Sequence, residues 1–298
     1  MNDNTCSETV YILQTLSIVV LVLICFMIRS IFFFKVQFQV HSSIFVAMQN
    51  KSRYFIELAY DGTHYHGWQR QPQSITVQEV LEDGLHKMLR EKVAVTGAGR
   101  TDAGVHASQM LAHFNYDREI DLEHLVYRLN RWLPKDIAVY QVMPVTDKAH
   151  ARFHAVKRSY EYHFLLRPDP FQVLQAYVLF RKPDFELMQQ AAQILLEYKD
   201  FECFSRSNTD VKTFLCDVSE ARFEFRDHKV IFHITANRFL RNMVRAIVGT
   251  LLDIGYGKKS VNDMHAIIAA KDRSKAGASA PAGGLFLSKI EYPKELFL

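Results

Sequence analysis

From residue 53 onward, the spacing of hydrophobic and polar residues alternates between the period of a strand and that of a helix. Residues 54–60 alternate with a period of two, as in a half-buried strand. Thr76 and Glu79 form a capping box ahead of a helical apolar stripe, and Pro134 ends a second helical pattern. The first part of the chain is therefore predicted to contain strand 54–60, a helix from 76, strands 93–96 and 109–114, helix 122–133 and strand 137–145.

The same order of elements recurs in the second part of the chain. Its patterns predict strand 159–166, helix 185–198, strands 218–225 and 230–236, helix 239–254, a helix after Ser260 and strand 285–292. Two successive β-α-β-β-α-β units indicate an α+β fold of two similar, ferredoxin- or RRM-like halves, 48–155 and 156–298. We expect mainly antiparallel sheets, helices on one face and a central catalytic cleft.

Residues 1–47 form an apolar extension that differs from the rest of the chain. Residues 10–28 carry no charge, and about 20 such residues span a bilayer. Arg29 and Lys35 follow this stretch, so the basic-side rule would leave the remaining chain in the cytoplasm. The alternative is that translation begins at Met48, directly before the first predicted strand. We favour this start-site artefact over a membrane anchor.

Composition changes the picture only slightly. The 298 residues are 49% hydrophobic and carry a net charge of +4, which suits a polyanionic partner without proving one. The four cysteines include no Cys-x-x-Cys pair, which argues against a disulfide framework or zinc knuckle and favours a reducing compartment. The chain has no Walker sequence and no complete dinucleotide-binding glycine motif, so we set aside nucleotide-dependent chemistry.

Residues 99–107 carry the clearest chemical signal in the chain. They read Gly-Arg-Thr-Asp-Ala-Gly-Val-His-Ala and place Asp102 among small residues, two positions after Arg100. Glycines let a polymer approach the backbone closely, and a nearby guanidinium favours the charged form of a carboxylate. Asp102 is therefore a candidate nucleophile. The alternative is a tight turn in which Asp102 and Arg100 only pair with each other.

Two further segments have residue types that contact RNA. The loop after the first strand contains Trp68, Gln69 and Arg70, which suit stacking on bases and binding to phosphate. Arg158 enters a predicted strand, on which we expect Tyr160 to reach a bound base; a packed core tyrosine is the alternative. These residues make RNA a candidate ligand.

A group of arginines also falls on one side of the helix predicted over 239–254. At about 100° per residue, Arg238, Arg241 and Arg245 lie within roughly 60° of one another, opposite an apolar stripe. Such a stripe is usually a solvated face, but arginine alone suits phosphates or an internal carboxylate.

Together these segments resemble the TruA family of tRNA pseudouridine synthases. The resemblance runs in order from about residue 53 to residue 293, and several short segments matching together are more specific than any one. The matching segments are 60–62, 67–69, 99–107, 152–155, 158–160, 243–245 with Gly249, and 280–287.

The resemblance implies an isomerase without cofactor or metal that converts uridines 38–40 of the tRNA anticodon stem-loop, working as a cytoplasmic homodimer with no membrane partner. In the family, the aspartate that matches Asp102 is the nucleophile. The arginine that matches Arg245 pairs with this aspartate, and the tyrosine that matches Tyr160 lies against the target base. The residue matching Arg100 helps to open the site. The residues that we expect to contact RNA are Trp68, Gln69, Arg70, Arg100, Arg158, Arg238, Arg241 and Leu285.

Two other functions stay open at this point. One is a non-catalytic RNA-binding module, against which the intact Arg-Thr-Asp segment argues, because a pure binder gains little from a carboxylate facing phosphates. The other is a metal-dependent hydrolase that uses His64, His66, His106 or His113. No carboxylate or cysteine set accompanies His64 and His66, so we expect no metal there.

Overall fold

The computed structural model describes residues 52–206 and 212–298, and the expectations for residues 1–47 lie outside this range. The strands of the described residues are β1 (Ser52–Tyr60), β2 (Thr96–Gly97), β3 (His106–Tyr116), β4 (Ile137–Val145), β5 (Lys157–Leu165), β6 (Tyr177–Val178), β7 (Val218–Arg226), β8 (Lys229–Ala236) and β9 (Leu285–Glu291). The α-helices are α1 (Val77–Leu89), α2 (Leu122–Trp132), α3 (Phe185–Ile194), α4 (Met243–Gly255) and α5 (Asp263–Ala270). None of these helices is long and apolar enough to cross a membrane.

The strands of the described residues join in one sheet, in the order β4-β1-β3-β9-β5-β8-β7, with β2 paired to β3 and β6 to β5. The pairings are antiparallel except between β3 and β9 and between β5 and β6. β3 and β9 pair only through His106 with Phe286 and Ala107 with Leu287. The prediction of an α+β fold with a mainly antiparallel sheet is confirmed.

Two hydrophobic cores lie along this sheet, one for each part of the chain. The first combines strands β1, β3 and β4 with α1 and α2, and the second combines β5, β7 and β8 with α3, α4 and α5. β9 contributes Leu285 to the second core and Leu287 to the first, and Tyr160 packs against both. The seam between the cores therefore runs along β9 and the start of β5.

The helix predicted over 239–254 begins at Met243 instead. Asn242 precedes it with a φ of +65°, in the left-handed region that asparagine tolerates better than most residues. Its side-chain amide donates a hydrogen bond to Ser279 Oγ at 2.6 Å. Arg238 and Arg241 consequently precede the helix, and the predicted arginine face of a single helix is wrong.

The strand predicted over 93–96 is also shorter than expected. Only Thr96 and Gly97 join the sheet, because the Val95 backbone is bonded to side chains of α1. Its N–H donates to Glu82 Oε1 at 2.9 Å, and its carbonyl oxygen accepts from Gln78 Nε2 at 2.9 Å. These bonds replace the ladder bonds that a longer strand would make.

Candidate active site

Asp102 begins a four-residue turn that directs its side chain into a partly open position. The Val105 N–H donates to the Asp102 carbonyl oxygen at 3.1 Å, and Gly104 has a φ of +74°. This combination is typical of a type II turn, whose third residue favours glycine. The Asp102 side chain is 31% exposed, so a substrate can reach its carboxylate from solvent.

The loop after β1 supports the backbone of this turn. The Gly104 N–H donates to the Tyr65 carbonyl oxygen at 3.2 Å, and the Trp68 N–H donates to the Thr101 carbonyl oxygen at 3.2 Å. The Tyr60 hydroxyl lies 2.8 Å from Thr101 Oγ1 in a buried hydrogen bond. Burial raises the pKa of the Tyr60 phenol, which keeps the hydroxyl protonated in this bond.

The two loops approach each other so closely that side chains are excluded at two glycines. A Cβ on Gly62 would lie 2.0 Å from the Val105 carbonyl oxygen, and one on Gly67 would lie 2.4 Å from the Thr101 carbonyl oxygen. Gly67 also has a φ of +87°. These glycines fix the position of Asp102 against the rest of the first core.

Two arginines from the second part of the chain face the carboxylate. Arg241 Nε lies 3.9 Å from Asp102 Oδ1, and Arg245 Nη1 lies 3.8 Å from Oδ2. Both distances exceed hydrogen-bond length, so the pairs act by charge and leave the carboxylate oxygens accessible. Arg245 is held in place by its Nε, which donates to the Ala280 carbonyl oxygen at 2.7 Å.

The alternative of a turn in which Asp102 and Arg100 only pair with each other is wrong, because the described residues show no ion pair between them. Within the described residues, the guanidinium groups within 4.0 Å of the carboxylate belong to Arg241 and Arg245. Arg100 is exposed to solvent. The charge that stabilises the carboxylate therefore comes from residues that are distant in sequence.

Tyr160 lies on β5, half-buried between the two cores. Its ring meets the Phe239 ring edge-on, with the centroids 5.1 Å apart. Burial raises the pKa of the Tyr160 phenol to about 12, and the negative charge of Asp102 adds to this shift. The phenol is therefore neutral at physiological pH, and Asp102 is close enough to act on it.

Arg158 holds three segments of the site together through backbone carbonyl groups. Its Nη1 donates to Ala155 at 3.3 Å and Asn237 at 3.0 Å, and its Nη2 donates to Ala98 at 2.9 Å and Arg152 at 2.7 Å. Each Nη carries two protons, so these four bonds use all of them. They favour a positioning role for Arg158 over the predicted contact with RNA.

Burial contradicts direct RNA contact by two of the predicted residues. Trp68 is 2% exposed, its ring stacks on Tyr60 at 6.1 Å between centroids, and Gly97 packs against its indole. Leu285 is 6% exposed within the second core. Neither side chain can stack on a base without unpacking the fold, so both predictions are corrected to structural roles.

The remaining candidates for RNA contact have mixed surroundings. Arg70 is exposed but pairs with Glu79 at 3.1 Å and Glu82 at 3.3 Å on α1. Gln69 and Arg238 are half-buried, and Arg100 and Arg241 are exposed. Contact of these five residues with RNA stays a prediction.

The buried histidines are engaged in the fold. His106 Nδ1 accepts from the Gly62 N–H at 3.0 Å, and its Nε2 lies 3.0 Å from the Gly283 carbonyl oxygen. His113 Nδ1 accepts from the Ala151 N–H at 3.2 Å. Over residues 52–206 and 212–298, no group of three or more His, Cys, Asp or Glu side chains is placed to bind a metal ion.

Sequence reasoning missed the residues that hold the site through their backbone. Ala280 fixes Arg245, and Thr101 anchors the Asp102 turn, each through its carbonyl oxygen. A carbonyl group is common to every residue and leaves no signal in a sequence. Glycines give an indirect sign of such close contact: Gly62 and Gly67 lie against the Asp102 turn, and Gly249 lies against the backbone of residues 278–280.

These features define an α+β protein with one reachable carboxylate flanked by arginines, and comparison with known proteins agrees with this class. A family model described as tRNA pseudouridine synthase matches residues 58–154 and 191–293. The chain therefore belongs to the tRNA pseudouridine synthase family.

Individual relatives match over most of their length. A protein named tRNA pseudouridine synthase A from Bacteroides fragilis is 52% identical over 247 residues, covering 82% of this chain and 98% of the relative. Its namesake from Bacteroides thetaiotaomicron is 51% identical over 248 residues, covering 82% and 92%. A third, from Thermoanaerobacter pseudethanolicus, is 41% identical over 239 residues, covering 80% and 98%.

Proposed function

We propose that this protein is an isomerase that converts uridine to pseudouridine at positions 38–40 of the tRNA anticodon stem-loop, with Asp102 as the nucleophile. One observation carries the proposal: the partly exposed Asp102 carboxylate faces Arg241 and Arg245 at 3.9 and 3.8 Å. Family membership supports the substrate, because the relatives are named as tRNA pseudouridine synthases.

The reaction begins when the uridine leaves its base stack, because its reacting atoms are shielded inside a stem. Asp102 then stabilises or captures the sugar C1′ as the bond from C1′ to N1 breaks, as the carboxylate of a retaining glycosidase does. The detached uracil turns, and C5 forms the new bond to C1′; where Asp102 has bonded to C1′, that bond breaks and the carboxylate is released. The proton on C5 leaves and N1 gains one, so the reaction neither consumes nor releases any other atom.

The neighbouring residues favour these steps by charge and by shape. Arg241 and Arg245 place two positive charges within 4.0 Å of the carboxylate, in a site that also has to accept RNA phosphates. Tyr160 places a neutral ring beside the carboxylate, where it can lie against the detached base. Because its pKa is about 12, the Tyr160 phenol keeps its own proton at neutral pH, so water or Asp102 is the better acceptor for the C5 proton.

The substitution Asp102→Asn tests the role of the carboxylate. We expect pseudouridine formation in a tRNA transcript to fall by at least about 10³-fold, since removal of a nucleophile has effects of that size or larger. Binding of tRNA should stay within about threefold. Asp227→Asn is the matched control, because its carboxylate is 86% exposed in the turn between β7 and β8. Retained turnover in the Asp102 variant would exclude this carboxylate as nucleophile.

Two alternatives give different results in the same assay. A non-catalytic RNA-binding module would bind tRNA without forming pseudouridine in the wild-type protein. A metal-dependent enzyme would lose activity in excess 1,10-phenanthroline, whereas the proposed mechanism requires no metal and predicts full activity.

We also propose that the chain consists of two similar ferredoxin-like halves, 48–155 and 156–298, on either side of the cleft. The strand order supports this. The first part has the order β4-β1-β3-β2, and the second, without the short β6, has the order β9-β5-β8-β7. In both, the first strand along the chain lies between the fourth and the third, and the second strand lies at the other side of the third. That the enzyme is a cytoplasmic homodimer, and that residues 1–47 are a start-site artefact, stay predictions.

A further inference from the structure

Phe153 is a large apolar side chain that the fold displays to solvent. It lies in the loop between β4 and β5 and is 72% exposed. Single exposed apolar residues are common on protein surfaces and need no explanation by themselves. Phe153 differs because the loop that carries it is fixed by hydrogen bonds and adjoins the candidate active site.

The backbone around Phe153 is held by two histidine rings. His150 Nδ1 accepts from the N–H groups of Arg152 at 3.2 Å and Phe153 at 3.4 Å. His154 Nδ1 accepts from the His150 N–H at 3.0 Å. The His150 and Phe153 ring centroids lie 4.3 Å apart, and the Arg152 guanidinium lies 5.7 Å from the Phe153 centroid. The exposed ring is therefore placed before any ligand arrives.

Arg158 connects this loop to the loop that carries Asp102. One nitrogen, Nη2, donates both to the Arg152 carbonyl oxygen at 2.7 Å and to the Ala98 carbonyl oxygen at 2.9 Å. Ala98 comes four residues before Asp102. The adjoining Gly99 has open space at its Cβ position, with no atom within 4 Å. An RNA strand at the carboxylate could thus pass over Gly99 and reach Phe153.

We propose that Phe153, together with Arg152, forms a stacking platform for an unpaired nucleobase next to the uridine that reacts. This inference rests on the proposed function, because it requires RNA at the Asp102 carboxylate. Every nucleobase has a π-face that can stack on an aromatic ring, and the adjacent guanidinium adds attraction for the base and for phosphate. The platform holds the strand in place and takes no part in bond making.

Paired substitutions test the platform. Phe153→Ala removes the ring, and Phe153→Trp keeps an aromatic surface. Base stacking contributes about 1–3 kcal/mol by alanine substitution, which corresponds to a roughly 5- to 150-fold change in affinity. We expect Phe153→Ala to raise the Kd and KM for a tRNA transcript by at least fivefold with kcat within about twofold. Phe153→Trp should stay within about threefold of the wild type, and its fluorescence should be quenched when tRNA binds.

Phe180→Ala is the matched control. Phe180 is 91% exposed and follows β6, which pairs with Phe164 and Leu165 at the end of β5 remote from Arg158. This variant should bind tRNA like the wild type. Thermal unfolding of each variant shows whether the fold is kept.

The possible results separate the platform from the proposed function. Unchanged tRNA affinity in Phe153→Ala would overturn the platform, as would a loss of kcat alone. A change in oligomeric state that accounts for the weaker binding would overturn it too and assign Phe153 to a protein interface. Failure of the proposed function would appear separately, as wild-type protein that forms no pseudouridine.

Discussion

Arg245 Nη1 lies 3.8 Å from Asp102 Oδ2, close enough to act on the carboxylate by charge but too far to occupy it with a hydrogen bond. The Nε atom of the same guanidinium donates to Ala280. One planar group therefore carries out two tasks, one electrostatic and one structural, and only arginine has the geometry for both.

The first prediction follows from that geometry. Arg245→Lys keeps the positive charge but cannot bond Ala280 and face Asp102 together, so we expect kcat to fall at least tenfold with a small change in tRNA affinity. Arg222→Lys is the control, since Arg222 pairs with Glu220 on the exposed surface of β7. Single-turnover rates measure the effect. A wild-type rate in the Arg245 variant would show that the hydrogen bond to Ala280 is not needed to hold the positive charge beside Asp102.

The second prediction concerns the contact between Gly67 and Thr101. Gly67→Ala adds a Cβ 2.4 Å from the Thr101 carbonyl oxygen at a φ of +87°, so the free energy of unfolding should fall by about 1–3 kcal/mol or more. Turnover should fall as well, because the displaced backbone carries Asp102.

Gly257→Ala provides the control for backbone strain. Gly257 has a similar φ of +74° but no atom within 4 Å of an added Cβ. Urea unfolding of the two variants therefore separates strain from steric clash. Equal destabilisation of both would show that the clash with Thr101 is relieved without cost.

The third prediction concerns the protonation state of Tyr160. Because burial raises the pKa of this phenol to about 12, it should not ionise between pH 6 and pH 10. The pH–rate profiles of wild type and Tyr160→Phe should then have the same shape over this range, whatever their heights. An alkaline limb that disappears in the Phe variant would show that the phenol titrates during catalysis.

The fourth prediction concerns His113 and stability at acid pH. Burial lowers the pKa of this imidazole from its usual 6.5 to about 4, with Arg53 and His150 adding to the shift. Between these values the unfolded chain binds a proton that the folded chain does not, so stability should fall as pH drops from about 6.5 to 4.

His113→Asn checks this effect, since its amide oxygen can still accept the Ala151 N–H bond. Between pH 7 and pH 5, the urea concentration at the unfolding midpoint should fall less in the variant than in the wild type. Burial and the charge of Arg53 also lower the pKa of His150, so we expect the slope to be reduced and not abolished. If the urea midpoint falls equally with pH in both proteins, His113 is not a cause of the loss of stability at acid pH.

Much of the fold could be read from local signals. The hydrophobic pattern over 137–145 and the Thr76 cap predicted strand β4 and the start of α1 at the observed positions. The helix at Met243 was misplaced because the hydrophobic period continues through Asn242 at the same spacing. A hydrophobic pattern records which residues are buried, and it does not record a left-handed φ.

Of the candidate site, the carboxylate itself was the part that local sequence signals could identify. Asp102 could be found because a carboxylate among glycines is unusual. The spacing of the arginines suited an internal carboxylate without indicating which one, and only the family resemblance paired Arg245 with Asp102. Arg241 and Arg245 come from the second part of the chain, which β9 and the hydrogen bonds of Arg158 join to the first. Trp68 appeared exposed from its polar neighbours, but Gly97 leaves space that its ring fills.

β3 and β5 do not pair with each other, because β9 lies between them. During synthesis on the ribosome, both strands emerge well before residues 285–291, and domains generally begin to fold as they emerge. A nascent chain can thus assemble much of each core while the two sides of the candidate site are still apart. The Asp102 loop and the arginines that it faces reach their final arrangement only after this last strand has emerged from the ribosome.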